Sequence, residues 1–186
     1  SSEDERVLAL VKTGDEPSSI VLHPDSRTAF VANRGNATVV RIDGIDTEAP
    51  KVSVPVPVGS EPSGVALSPG GTYLYVAEHA EGRVSVFASA SMELVGVIDA
   101  PEHPYALAVT NDGDGDESDE VLVVPEFFGE PTENGEATNA GRSGRVRIYG
   151  ALDLRAKSPI ELSSLDSGFV PALAAEGTPS VVTSPN

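Results

Sequence analysis

The chain has 186 residues, is 39% hydrophobic and carries a formal net charge of −17 from 12 basic and 29 acidic side chains. This charge repels phosphate backbones and anionic lipids, and no apolar run approaches the roughly 18 residues of a membrane helix, so we expect neither nucleic-acid binding nor membrane insertion. The absence of cysteine excludes disulfides, thiolate metal ligands and cysteine nucleophiles.

One pattern recurs along the chain. Pro17, Pro62 and Pro104 are each followed by a short apolar segment, and Pro179 begins the same pattern again. The successive prolines are 45, 42 and 75 residues apart. Turn residues interrupt the apolar segments about every 8 to 12 residues, and β-branched residues alternate within them, which is typical of strands. The sequence therefore predicts an all-β chain built from a repeated unit.

Each unit is predicted to contain four strands. In chain order the strands are 19–22, 28–33, 38–42 and 52–58, then 64–67, 72–78, 83–87 and 93–98, then 106–109, 120–126 and 145–149. A leading strand is predicted at Arg6–Lys12 and a trailing one after Pro179. A period of about 40 to 50 residues with four strands is typical of propeller blades. We therefore predict a β-propeller of four-stranded antiparallel blades that start near residues 14, 59, 101 and 176.

Two short motifs carry a family resemblance. FVAN at 30–33 and YVAE at 75–78 each lie between a proline-containing stretch and a Gly/Asn turn, and they resemble the YVTN family of β-propeller repeats. In the third unit VVPE at 123–126 replaces the motif. The resemblance implies a propeller, commonly of seven blades, and an extracellular, cell-surface or periplasmic location.

The number of units predicts an incomplete ring. About three complete blades with flanking strands are fewer than the roughly four to eight blades that close a propeller. We expect the remaining blades of the same polypeptide, or another chain, to complete the ring. A self-contained propeller of small blades is the alternative.

Insertions interrupt the third unit at about 111–120, 129–144 and 151–176. The first contains alternating carboxylates, and oxygen ligands at every second position with glycines between them suit Ca²⁺. An EF-hand is excluded because Glu117 and Val123 stand where glycine and glutamate are required. A nonstandard calcium loop and a solvated acidic turn remain the two interpretations. The candidate metal ligands are Asp112, Asp114, Asp116, Asp119 and Glu120.

The other two insertions offer candidate surfaces. Phe127 and Phe128 precede the second insertion, and the two interpretations are burial between blades and a recognition surface or loop anchor. The apolar segment of the third insertion, residues 166–177, is predicted to form a short helix or an edge excursion that covers the neighbouring blade. In repeat proteins such loops carry function more often than the strands do.

Polar residues at equivalent strand ends form the second candidate site. Asn33, Glu78 and Glu126 end the second strand of successive units and would form a ring on one propeller face or channel. Propeller lactonases hold a divalent metal with carboxylates and amides from several blades, so the resemblance allows a similar site here. His23, His79 and His103 occupy different places in three units, and we predict that each lies in a turn or on the surface.

The sequence favours a noncatalytic binding or structural module. In this interpretation the blades display loops, above all those of the third unit, to a protein or glycan partner. The alternative is part of a metal-dependent, lactonase-like hydrolase or of a redox-associated propeller, with a site that needs further blades.

Overall fold

Three antiparallel sheets form the fold. The computed structural model describes residues 7–100, 103–133 and 141–162. The first sheet contains β1 (Pro17–Leu22), β2 (Thr28–Asn33), β3 (Thr38–Asp43), β4 (Lys51–Val52) and β5 (Val56–Pro57). The second contains β6 (Pro62–Leu67), β7 (Tyr73–Glu78), β8 (Arg83–Ala88) and β9 (Glu93–Asp99). The third contains β10 (Ala108–Val109), β11 (Val121–Pro125), β12 (Glu130–Pro131), β13 (Arg142–Gly150) and β14 (Ile160–Leu162).

The predicted fold class is confirmed. The second sheet has the strand order β6-β7-β8-β9, and the first and third sheets extend the same antiparallel plan with short additional strands. Three such blades form an incomplete ring. The described part of the chain is without helix, and so without a helix able to cross a membrane.

The sheets stack face to face, which explains why their middle strands are apolar on both sides. Leu74 and Val76 of β7 pack against Phe30 of the first sheet. Tyr75 points to the other face and packs with Leu122 and other residues of the third sheet. Because alternate side chains of a strand point to opposite faces, one strand contributes to two hydrophobic cores.

The innermost strands lie side by side. The Ser18 hydroxyl donates a hydrogen bond to the Pro62 carbonyl over 2.7 Å, and the Ser63 hydroxyl donates one to the Pro104 carbonyl over 3.2 Å. The two serines follow the repeat prolines of the first and second units. The starts of the three innermost segments are therefore held together at one end of the blades, which we call the inner rim.

One face of the first sheet is left open. Val65 and Leu67 of β6 are 8% and 9% exposed because the first sheet covers them. Ile20 and Leu22 hold the corresponding places in β1, opposite Val31 and Ala29, yet they are 62% and 60% exposed. The difference is that no sheet among the described residues covers this face.

Several predicted strands differ from the observed ones. Within the predicted leading strand Arg6–Lys12, residues 7–12 form no strand, and no strand of the described part of the chain pairs with them. The predicted strand 52–58 is split into β4 and β5, and Pro55, which has no N–H to donate to a ladder, lies in the gap between them. The first strand of the third unit is shortened to β10. The segment after Pro179 lies outside the described residues.

The second and third insertions add strands rather than loose loops where they are described. β12 pairs with the start of β13, which lengthens β13 to nine residues. β14 pairs with β13 as an edge strand. The apolar segment 166–177, for which a short helix or an edge excursion is predicted, lies outside the described residues. The remainder of both insertions lies outside the described residues.

Candidate ligand-binding site

The predicted polar ring lies at equivalent places but inside the blades. Asn33 and Glu78 end β2 and β7 and are 0% and 1% exposed. Glu126 directly follows β11, and its side chain is 0% exposed. The repeat therefore brings these three residues to matching positions, as the sequence predicts, although their described contacts are with neighbouring protein groups.

Glu78 is fully occupied by hydrogen-bond donors. Its Oε1 accepts hydrogen bonds from the Gly59 backbone N–H and the Ser85 hydroxyl, both over 2.7 Å. Its Oε2 pairs with the Arg83 guanidinium. Asn33 has a similar role, since its Oδ1 accepts from the Thr13 hydroxyl over 2.9 Å. Both side chains tie the segment before the repeat proline to the end of the second strand.

Glu126 has fewer partners. Its Oε1 pairs with Arg147, while its buried Oε2 has no hydrogen-bond partner. The position that corresponds to Gly59 in the third unit is Pro101, and proline has no backbone N–H. Arg147 itself stands where the second unit has Ser85, as the strand registers show. The third unit therefore keeps the buried carboxylate, while its sequence has neither the glycine N–H nor the serine hydroxyl at the matching positions.

The inner rim also contains the residues that precede each repeat proline and the residues that follow Asn33, Glu78 and Glu126. Glu16, Glu61 and His103 each precede a repeat proline and have left-handed φ values of 51°, 54° and 61°. Their carbonyls accept hydrogen bonds from the backbone N–H groups of the residues that follow Asn33, Glu78 and Glu126. These residues are Arg34, His79 and Phe127, with distances of 2.8, 3.1 and 3.2 Å.

A cavity of about 250 Å³ opens on this rim. Arg34 and Glu61 form an ion pair across it with an Nη2 to Oε1 distance of 3.2 Å, and both side chains are about half exposed. Their outer hydrogen-bonding groups are thus accessible to solvent. The cavity combines hydroxyl, charged and aromatic groups from all three units. It is lined by Ser18, Arg34, Glu61, Ser63, His79, Tyr105 and Phe127.

An aromatic cluster lies at the cavity, and three of its members, His79, Tyr105 and Phe127, line it. We call it the rim cluster, and it consists of His79, His103, Tyr105, Phe127 and Phe128. Phe127 and Phe128 are 58% and 48% exposed, and Tyr105 is 54% exposed. Of the two interpretations of the phenylalanines, burial between blades is wrong, because both side chains are about half exposed.

His79 and His103 lie next to each other. Their ring centroids are 5.2 Å apart. The His79 Nδ1 lies 3.3 Å from the Pro104 carbonyl, and the His103 Nδ1 lies 2.7 Å from the His79 carbonyl. The histidines of the second and third units therefore converge, although their different places in the sequence repeat suggested that they would not. His23 lies in the turn after β1, as predicted.

The acidic insertion brings together part of the predicted metal site. Asp112, Asp114 and Asp119 place carboxylate oxygens within 4.8 Å of one another, and all three are exposed. Partial burial, followed by the nearby carboxylates, raises the pKa of Asp119. Calcium binding by this loop stays a prediction.

The other two predicted ligands point elsewhere. Glu120 is buried and accepts hydrogen bonds from the Thr110 hydroxyl and the Asp112 backbone N–H. Asp116 accepts a hydrogen bond from the Ser118 backbone N–H over 2.9 Å, and hydrogen bonds with Ser118 lower its pKa. These contacts stabilise the turn itself.

Sequence reasoning singled out the strand-end residues and missed the rim beside them. The available signal was the pairing register. In an antiparallel hairpin the residue before the repeat proline lies opposite the residue after the second-strand motif. Applied to the second and third units, this register pairs Glu61 with His79 and His103 with Phe127. The stacking of the two hairpins, which the register does not predict, then brings His79 next to His103.

Comparison with known proteins agrees with this fold. The family described as Lactonase, 7-bladed beta-propeller, matches residues 3–103. Among curated proteins none matches the chain.

Solved structures also match. A chain of the Kuenenia stuttgartiensis hydrazine synthase is 21% identical with a TM-score of 0.62, and the match covers 83% of this chain and 38% of that one. The BBS1N chain crystallised with ARL6DN is 17% identical with a TM-score of 0.57, covering 81% and 41%. The RRP9 WD40 repeats are 15% identical with a TM-score of 0.56, covering 83% and 41%. This chain therefore spans about two fifths of these structures, and the likeness concerns the fold alone.

Proposed function

Because this chain belongs to the family described as Lactonase, 7-bladed beta-propeller, we propose that it forms part of a propeller that binds a saccharide unit of a glycan at the inner rim, without changing it chemically. The observation that supports this most is the composition of the rim cavity. Its lining combines the exposed aromatic rings of Tyr105 and Phe127 with hydrogen-bond donors and acceptors of charged and hydroxyl side chains.

A pyranose ring matches this arrangement chemically. Its C–H groups form an apolar face that packs on an aromatic ring, such as Tyr105 or Phe127, and its hydroxyls both donate and accept hydrogen bonds. Glu61 supplies acceptors, Arg34 supplies donors, and the Ser63 hydroxyl does both. The cavity volume of about 250 Å³ suits one small ring rather than an extended chain. A location outside the cytoplasm, as predicted from the sequence, would give access to polysaccharides.

The scaffold favours binding by preorganisation. Arg34, His79 and Phe127 each follow a second strand, and the backbone N–H of each donates a hydrogen bond to the residue before the repeat proline of the same unit. Holding side chains in place before binding reduces the entropy that is lost when a ligand docks.

The test is a nuclear magnetic resonance titration of the intact protein with methyl glycosides of glucose, galactose, mannose and N-acetylglucosamine. We expect saturable shifts at the rim residues for at least one glycoside, and loss of at least about tenfold in affinity in Tyr105→Ala and Phe127→Ala. Leu94→Ala is the matched control, because Leu94 is 57% exposed but lies on the outer strand β9. Shifts that are absent, or that persist unchanged in both rim variants, would contradict glycan binding here. Binding of an extended peptide at the rim instead would favour a protein partner.

A second candidate function is hydrolysis of a sugar lactone in the same cavity, which the family match favours. His79 lines the cavity and is the residue suited to accept a proton from an attacking water. Glu78 and Glu126 are poorly suited, since they are buried in contacts with arginines. Hydrolysis of D-glucono-1,5-lactone faster than the uncatalysed rate, lost in His79→Gln, would support this function and overturn the noncatalytic proposal.

A further inference from the structure

The two histidines of the rim cluster have fixed tautomers. The Nδ1 atoms of His79 and His103 each contact a backbone carbonyl, at 3.3 and 2.7 Å. A carbonyl oxygen only accepts hydrogen bonds, so in each neutral ring the proton is on Nδ1 and the lone pair is on Nε2. Among residues 7–100, 103–133 and 141–162, no hydrogen bond to either Nε2 atom is present. Both lone pairs are therefore left for another partner.

This hydrogen-bonding pattern is the one that metal-ligating histidines have. Such residues almost always donate their second ring N–H to a carbonyl or carboxylate, which fixes the ring and raises the basicity of the ligating nitrogen. The carbonyls that perform this role here belong to Pro104 and His79, so each histidine is oriented by the backbone of the neighbouring hairpin. The orientation thus results from the stacking of two blades rather than from flexible side chains.

The separation of the rings also fits a shared ion. With a metal–nitrogen bond of about 2.0–2.1 Å, two imidazoles on one tetrahedral ion have centroids about 5 Å apart. The centroids of His79 and His103 are 5.2 Å apart, and the two rings are inclined by 48°. The centroid separation therefore matches that of two imidazoles that share one ion.

We infer that His79 and His103 form a binding site for a divalent d-block cation such as Zn²⁺, Ni²⁺ or Cu²⁺, the ions that imidazole ligands suit. The remaining coordination positions are filled by water or by an oxygen of a rim-bound molecule. The net charge of −17 raises the local concentration of cations around the protein. This site is separate from the acidic loop 111–120, whose oxygen ligands suit Ca²⁺, and it does not rest on glycan binding.

The test is a titration of the intact protein with Zn²⁺, followed by the side-chain resonances of the three histidines. We expect saturable shifts of His79 and His103 at one ion per chain, and no comparable shift of His23, which serves as the internal control. Loss of an outer-shell partner alone reduces metal affinity by about 10- to 100-fold, so His79→Asn and His103→Asn should each reduce it by at least about tenfold. Asparagine retains a donor near the Nδ1 position, and an unchanged amide spectrum without metal verifies the fold.

Two results would overturn the inference. One is an equal response of His23, which indicates nonspecific binding to exposed imidazoles. The other is unchanged Zn²⁺ affinity in both asparagine variants, above all if the carboxylate resonances of Asp112 and Asp114 shift instead. Because the readout is metal binding, failure of glycan binding leaves this result unaffected, and the reverse also holds.

Discussion

The second and third sheets differ in how the contacts of a buried carboxylate are satisfied. Each buries a carboxylate at the end of its second strand, Glu78 in one and Glu126 in the other. Both oxygens of Glu78 receive donors, whereas one oxygen of Glu126 receives none. The sheets agree in the apolar residues that face their neighbours, since Leu74 and Leu122 hold matching places and are both 0% exposed.

The difference shows which part of the repeat is constrained. Packing between blades fixes the apolar positions, because a change of one methylene is felt in a dense core. The residues that contact the buried carboxylate differ between the two sheets instead, with Arg83 beside Glu78 and Arg147 beside Glu126. Where the third unit has Pro101 for Gly59 and Arg147 for Ser85, the arginine supplies the charge that neutralises the carboxylate. The shared feature is therefore burial of a polar end group that joins the hairpin to the preceding segment.

The largest expected effect is that of Glu78→Gln. In one orientation the NH₂ group of the new amide faces the Arg83 guanidinium. In the other it faces the Gly59 N–H and the Ser85 hydroxyl, which donate to Glu78. We expect a loss of about 2 to 3 kcal/mol in the free energy of unfolding, as for a buried hydrogen bond to a charged group. Urea denaturation followed by circular dichroism measures it. A loss below about 1 kcal/mol would mean that these contacts contribute little.

The next effect compares two glycine turns between first and second strands. Gly71 has a φ of 79° and a Cβ there would meet the His23 ring, whereas Gly113 has a φ of 87° and open space around it. Left-handed backbone alone costs a non-glycine residue roughly 1 to 2 kcal/mol. We expect Gly113→Ala to cost about 1 kcal/mol and Gly71→Ala about 2 kcal/mol or more, measured by thermal unfolding. Equal costs would show that the His23 ring moves aside freely.

The smallest effect is expected for Glu126→Gln. The amide oxygen can keep the contact with Arg147, and the NH₂ group can take the place of Oε2, which has no partner. We expect a change below about 1 kcal/mol in the free energy of unfolding, in the same urea assay as for Glu78→Gln. A loss as large as that of Glu78→Gln would remove the distinction between the two sheets.

The sequence predicts the middle of each blade well and its margins poorly. β2 is observed at the predicted residues 28–33, and β7 and β8 differ by one residue at one end, since apolar alternation between turn residues determines them. Residues 7–12 are equally apolar but form no strand, because pairing depends on a neighbour that is distant in sequence. Local pattern carries no information on such a neighbour.

The candidate site was predictable only in part. The repeat aligned Asn33, Glu78 and Glu126, but the contacts that occupy Glu78 depend on Gly59 and Arg83, which belong to different segments. The approach of His79 to His103 depends on the stacking of two hairpins. Each of these features arises from tertiary packing rather than from local propensity.

The left-handed backbone at the rim has a consequence for how new specificity arises. Glu16, Glu61 and His103 have nearly the same φ, and each receives the same backbone hydrogen bond, although their side chains differ. The scaffold therefore accepts an exchange of side chain at each of these positions while the hairpins that hold them stay in place. Substitution at one of these three positions changes the chemistry of the rim in one blade while the other blades stay as they are. Selection, or a designed library, can therefore vary the rim one blade at a time.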